Sequence, residues 1–165
     1  MISTVILLIV LLGISYGLVS TTSLERSVRE QGLAREALRG RIELLRATTF
    51  TDVLARFDDD PTNDPAGGSS PGARFDVPGL DARPDDADGS VGAVVFPLSE
   101  NGGLFEDFDM PALGMPRDLT GEGDFDLVDH SGDYRILPVL VRLEWRGAAG
   151  DAALEMSTVL KGVRP

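Results

Sequence analysis

The residues best suited to chemistry lie in one run, Asp118-Leu-Thr-Gly-Glu-Gly-Asp-Phe-Asp-Leu-Val-Asp129. In the register of a twelve-residue calcium loop, oxygen ligands fall at Asp118, Thr120, Glu122, Asp124 (through its backbone carbonyl), Asp126 and Asp129. Gly123 takes the sixth position, where the chain must turn sharply, and Phe125 the hydrophobic eighth. Ca2+ collects about six to eight hard oxygens, so carboxylates clustered in a loop broken by glycine are suitable ligands. Thr120 and Glu122 are uncommon at their places, and Asp129 is shorter than the usual bidentate Glu. Pro116 opposes an ordinary entering helix. The competing reading is a solvated acidic turn on an acidic protein. Asp85-Asp-Ala-Asp-Gly89 is a second, weaker cluster on the same oxygen-ligand logic.

Little in the sequence supports catalysis. The single histidine, His130, adjoins the acidic loop and reads as a loop residue rather than a catalytic base. The carboxylates are too numerous for one pair to stand out as acid and base. No P-loop and no G-x-G-x-x-G is present. With no cysteine, a disulfide, a thiolate metal site and a Cys nucleophile are all excluded. A bound cation is then the clip still open to a small domain. The net charge of −12 is uneven: residues 24–46 carry six Arg against four Glu, residues 47–165 nine basic against 23 acidic groups. A head of that sign repels nucleic acid and anionic lipid and attracts cations, which excludes nucleic-acid binding.

The scaffold for these residues begins with Met1 to Val19, an uncharged stretch about long enough to cross a bilayer at roughly 1.5 Å per residue. A secretory signal peptide is the competing reading, but no basic n-region and no small-x-small cleavage site accompany the stretch. The apolar pattern also continues through Leu24, Val28, Ala34, Leu38, Ile42 and Leu45, as on one face of a helix. Asp58-Asp-Asp-Pro61 stops it, so one helix is expected over 1–57, with 1–23 as a membrane or filament-core segment and 24–57 as an amphipathic half. Residues 58–90 form an Asp/Gly/Pro-rich loop with few apolar anchors and a short strand at Ala73–Val77. Residues 91–165 are expected to form a β-sheet head, with one strand at Val91–Pro97 and a hairpin over 134–162. In the hairpin, the odd positions Leu137, Val139, Val141, Leu143 and Trp145 are all apolar, and the even positions Leu154, Met156, Thr158 and Leu160 alternate with Glu155, Ser157 and Lys161. Gly147–Asp151 is expected as its loop, and Pro138 puts the first strand at an edge or bulge. The fold class is α+β, a long N-terminal helix packed by its C-terminal half on a small antiparallel sheet.

A head of this size cannot cover so long a rod, so its first half must lie in a membrane or against similar helices. Gly13 and Gly17 form a G-x-x-x-G pair, extended by Thr21, that lets helix backbones approach closely. Met1-Ile-Ser-Thr-Val-Ile-Leu-Leu-Ile-Val-Leu-Leu-Gly13, the amphipathic stretch 24–46 and Glu43-Leu-Leu-Arg-Ala-Thr-Thr-Phe50 together resemble the type IV pilin and type II secretion pseudopilin superfamily. That resemblance implies a precursor trimmed by prepilin peptidase, N-terminal methylation and storage in the inner membrane. It further implies assembly with other copies or related pilin subunits into an extracellular or periplasmic filament. The interface would include Met1, Val5, Leu8, Leu12, Gly13, Gly17 and Thr21. The absence of Lys or Arg before the apolar run is expected of a chain whose basic leader has been removed. The family usually carries Glu at position 5, thought to pair with a neighbour's terminal amine; Val5 cannot, which implies a specialised subunit. Some pseudopilins stabilise their heads with calcium, in keeping with the acidic loop. The alternative is a membrane-anchored extracytoplasmic binding module that does not polymerise.

Overall fold

The computed structural model describes residues 2–65, 70–99 and 101–162, with side chains from residue 21 onward. Helix α1 spans Ile2–Ala47 and is about 70 Å long at 1.5 Å per residue. Glu30, Ala34, Leu38, Ile42 and Leu45, three or four residues apart, form its buried stripe. The helix stops short of the Arg56-Phe57 end expected from the apolar period. Thr48 accounts for the break: its hydroxyl donates to the Leu44 carbonyl at 2.9 Å alongside its own N–H at 3.1 Å. Thr49 then leaves the helical region (φ −56°, ψ 126°) and starts a second helix, α2, at Phe50–Phe57. A threonine hydroxyl bonded to the carbonyl four residues back weakens and bends a helix, and Thr49, whose side chain makes no capping bond, takes a non-helical conformation next to it. Helix α2 buries Val53, Leu54 and Phe57, so the apolar period persists across two helices.

Four strands form one antiparallel sheet in the order β1 (Arg74–Phe75), β2 (Gly92–Val95), β3 (Ile136–Gly147) and β4 (Gly150–Lys161). Leu137, Val139, Val141, Leu143 and Trp145 are all buried, with Val94 paired beside Val141, and α1 contacts β3 and β4. Pro138 and Leu140 face the other way and are buried as well. There the segment between β2 and β3 returns over the sheet through a 3-10 turn, Pro111–Leu113, that contacts β3 and β4. Pro138 lies beyond the end of β2, whose last residue Val95 pairs with Leu140, so its missing N–H costs no ladder bond.

The hairpin turn is tighter than the five residues expected. Gly147 pairs with Gly150 around Ala148-Ala149, and Gly150 supplies the positive φ (120°). Glu30 secures this turn to the helix: Oε2 accepts the Ala148 N–H at 3.1 Å and Oε1 accepts Arg26 Nε at 2.8 Å. A Cβ on Gly147 would sit 3.0 Å from Glu30 Oε2, so glycine permits the approach.

The 58–90 segment has more anchors than its composition suggests, since Ala73, Val77 and Leu80 are buried. Arg41 fastens it. Its Nη2 donates to the Gly72 carbonyl at 2.7 Å, and its guanidinium lies 4.9 Å from the Phe57 ring centre and 4.4 Å from that of Phe75. A long N-terminal helix on a small antiparallel sheet is compatible with a pilin-like fold. Among the described residues no helix is long and apolar enough to cross a membrane. Side chains are described only from residue 21, so those of the expected membrane segment 1–19 and of the expected interface residues Met1, Val5, Leu8, Leu12, Gly13 and Gly17 lie outside the described set; Thr21 is exposed.

Candidate metal centre

The segment joining β2 to β3 has almost no regular structure, yet Leu104, Leu113, Met115 and Leu119 anchor it in the core. Its ends are tied together through the backbone. His130 N–H donates to Leu104 at 2.8 Å, and the Leu119 carbonyl accepts from Arg135 and Ile136 at 2.8 and 2.9 Å. Glu106, 2% exposed, supplies the acceptors that the missing strand partners would have provided. Its Oε1 accepts the N–H groups of Leu119 (2.6 Å) and Thr120 (3.3 Å), and Oε2 that of Asp126 (3.3 Å). A buried carboxylate is tolerable there because backbone donors surround it.

Glu106, Asp126 and His130 each present a ligand atom, and these atoms lie within 4.8 Å of one another. His130 is buried between two carboxylates, Nε2 at 2.9 Å from Asp126 Oδ1 and Nδ1 at 3.0 Å from Asp133 Oδ1. With both carboxylates ionised each can only accept, and the imidazolium, with hydrogen on both ring nitrogens, is the form that satisfies both contacts. Burial pulls its titration down, but the hydrogen bonds and charges of Asp126 and Asp133 outweigh it and raise it above the ordinary histidine range. Asp126 is held below the usual carboxylate range by the Val128 N–H first, then by His130.

The six residues of the calcium-loop register go to several places. Asp118 caps the loop from within, accepting the N–H groups of Gly121 (2.5 Å), Glu122 (3.3 Å) and Gly123 (2.6 Å), which hold it below its ordinary titration range. Thr120 is buried and donates to Asp118 at 3.2 Å. Glu122 is exposed, and the Asp124 carboxylate accepts the Phe125 N–H at 2.8 Å. Asp129 turns to Leu104 N–H (2.9 Å) and Ser131 (Oγ 2.5 Å). Gly123 has the positive φ (89°) expected of it, whereas Phe125 is 59% exposed rather than packed. Among the described residues, only Asp126 of the six joins a group of three possible metal ligands. In the second acidic cluster, Asp85 pairs with Arg83, and Asp88 with Arg74.

Two carboxylates and an imidazole form a mixed oxygen and nitrogen set able to hold a divalent cation. Such a set suits borderline ions of the zinc and manganese kind, since Ca2+ prefers oxygen alone. Glu106, Asp126 and His130 would hold such an ion, and His130 would have to give up the hydrogen on Nε2 to become a ligand, so binding would release a proton. Glu106 and Asp133 are not among the site residues expected from sequence, and His130, expected as a plain loop residue, is buried between two carboxylates. The spacing of Asp126, His130 and Asp133 carried a signal, three acid–base groups within eight positions; Glu106 carried none. Comparison with protein-family profiles, curated proteins and solved structures finds no significant match.

Proposed function

We propose that this chain is a pilin-like structural subunit that assembles into a filament through its N-terminal helix and displays its acidic head outward. The observation that carries this reading is how the helix relates to the head. The buried stripe begins at Glu30, whereas α1 starts at Ile2, and on the intervening turns Leu24 and Val28 are 64% and 70% exposed. Apolar residues exposed on the helix need cover, and α1 continues without a break through the uncharged sequence back to Ile2. Lipid covers that segment before assembly, and neighbouring helices cover it afterwards, with Gly13 and Gly17 allowing close contact. Shearing native cells and imaging the released material by electron microscopy tests this. The chain is expected in filaments a few nanometres wide; recovery only as a membrane-bound monomer would instead support an anchored binding module.

A second reading concerns the acidic segment, and the Glu106–Asp126–His130 group favours it. In this reading a divalent cation clips the segment to the head: Ca2+ through the oxygens of 118–129, or a borderline metal through His130. Melting curves with Ca2+, Zn2+ and chelator separate these possibilities. A rise in Tm with Ca2+ alone supports the oxygen site, a rise with Zn2+ that grows with pH supports the His130 site, and no rise with either ends the reading.

A further inference from the structure

Strand β4 is the edge of the sheet, and the direction of its backbone groups follows from its neighbour. On β3 the N–H groups of Ile136, Glu144 and Arg146 donate away from β4, to Leu119, Val91 and Asp81. Backbone groups alternate in direction along a strand, so the odd-numbered residues of β3 bond β4, and their partners there are even-numbered. The odd-numbered residues Asp151, Ala153, Glu155, Ser157, Val159 and Lys161 therefore direct N–H and C=O outward, and their side chains are exposed. Pairing with β3 runs without a bulge from Lys161 to Gly150, and β4 holds no proline. Natural sheet edges of this length are usually blunted by such devices or by charged side chains, and here the edge charges, Asp151, Glu155 and Lys161, are of both signs.

We propose that β4 pairs antiparallel with β4 of a second copy, about a two-fold axis at Met156. This surface is separate from the helix contacts of the filament reading. In that register Asp151 stands opposite Lys161 at both ends, Ala153 opposite Val159, and Glu155 opposite Ser157. The edge is thus acidic at one end and basic at the other, and antiparallel pairing makes it complementary to itself. A slip of two residues one way sets Glu155 against Glu155; the opposite slip strips Asp151 of its lysine, which is the only one in the chain. Neighbouring charges leave the register free. Glu155 already receives Arg142 at 2.6 Å, while Asp151 has only a 3.9 Å contact with Arg83. On the helix face the half-buried Met156 meets its own copy and Leu154 meets Thr158, covering apolar surface that one chain leaves partly open.

Because the chain has no cysteine, engineered thiols test the register in the full-length protein in detergent. The double variant Ala153→Cys/Val159→Cys places thiols opposite each other with Cα atoms about 5.5 Å apart, within disulfide reach. In Ala153→Cys/Ser157→Cys the thiols meet only in a slipped register, beyond the roughly 7 Å limit. Mild oxidation is expected to give about tenfold more covalent dimer from the first pair than from the second. Equal yields, or no dimer from either, overturn the proposal; association through the helices alone would link heads without regard to register. Lys161→Glu should lower the dimer yield, and adding Asp151→Lys should restore it. A double charge swap that fails to restore the yield also overturns the register.

Discussion

Arg41 offers the sharpest test of how the head is held together. Its guanidinium joins α1 to two other pieces of chain, through the Phe57 ring at the end of α2 and through the Gly72 carbonyl and Phe75 ring of the segment that leads into and forms β1. Burial lowers its titration range, yet an arginine remains charged at any ordinary pH. A hydrogen bond from a charged donor contributes about 1.5–3 kcal/mol, and each partly exposed cation–π contact about 0.5–1 kcal/mol. These terms overlap, so Arg41→Met, which keeps most of the stem, should cost about 2–4 kcal/mol. Arg41→Lys keeps the charge but not the plane that fits between two rings, and should lose roughly half as much. The assay is urea unfolding of the full chain in detergent micelles, followed by fluorescence of Trp145, the single tryptophan, buried on β3. Arg35→Met, on the exposed side of the same helix, is the control. A loss below about 0.5 kcal/mol for Arg41→Met, no greater than the control's, would refute the clamp.

Glu106→Gln should destabilise the head by about 1–3 kcal/mol in the same assay, since the amide presents a donor where three backbone N–H groups need acceptors. No change would mean that the loop is organised by other contacts. His130 predicts a pH dependence whose sign follows from its raised titration. The folded state holds the proton more tightly, so this stability is full below the unfolded histidine value and is lost as pH rises through the folded one. Tm measured between about pH 5 and 9 should fall over that window, and His130→Gln should flatten the fall; a wild-type curve that rises there contradicts the assignment. Leu24→Glu with Val28→Glu should leave the Trp145 unfolding curve unchanged, because both residues are exposed on α1, while filaments disappear from the sheared fraction. Lost head stability, or persisting filaments, would separate those residues from assembly.

The sheet and the helix face were legible because each follows a simple period. The alternate residues Leu137, Val139, Val141, Leu143 and Trp145 are all buried, and Ala34, Leu38, Ile42 and Leu45 recur every three or four residues on the covered side of α1. The break at Thr48-Thr49 was not legible, because apolar residues resume in register in α2 and the competing hydroxyl leaves no mark on a hydrophobic pattern. The anchors Ala73, Val77 and Leu80 were lost in a segment dominated by Asp, Gly and Pro. The candidate site was legible only in part. Asp126 belongs to the acidic run and His130 adjoins it, but Glu106 meets them through an irregular segment whose closure depends on tertiary packing. Composition located the charge, and folding decided which carboxylate was buried.

The central claim is that copies of this chain meet along their N-terminal helices. The most direct measurement is thiol crosslinking in intact native cells with the double variant Leu24→Cys/Val28→Cys, whose two thiols are the only cysteines in the chain. Both side chains are exposed on α1, on the turns that precede Glu30. Helix packing predicts that one chain carrying both thiols will link to two neighbours, giving a ladder of dimers, trimers and longer products that runs with the sheared filament fraction. Monomer alone, with both thiols reactive to a soluble maleimide in the membrane fraction, would contradict it.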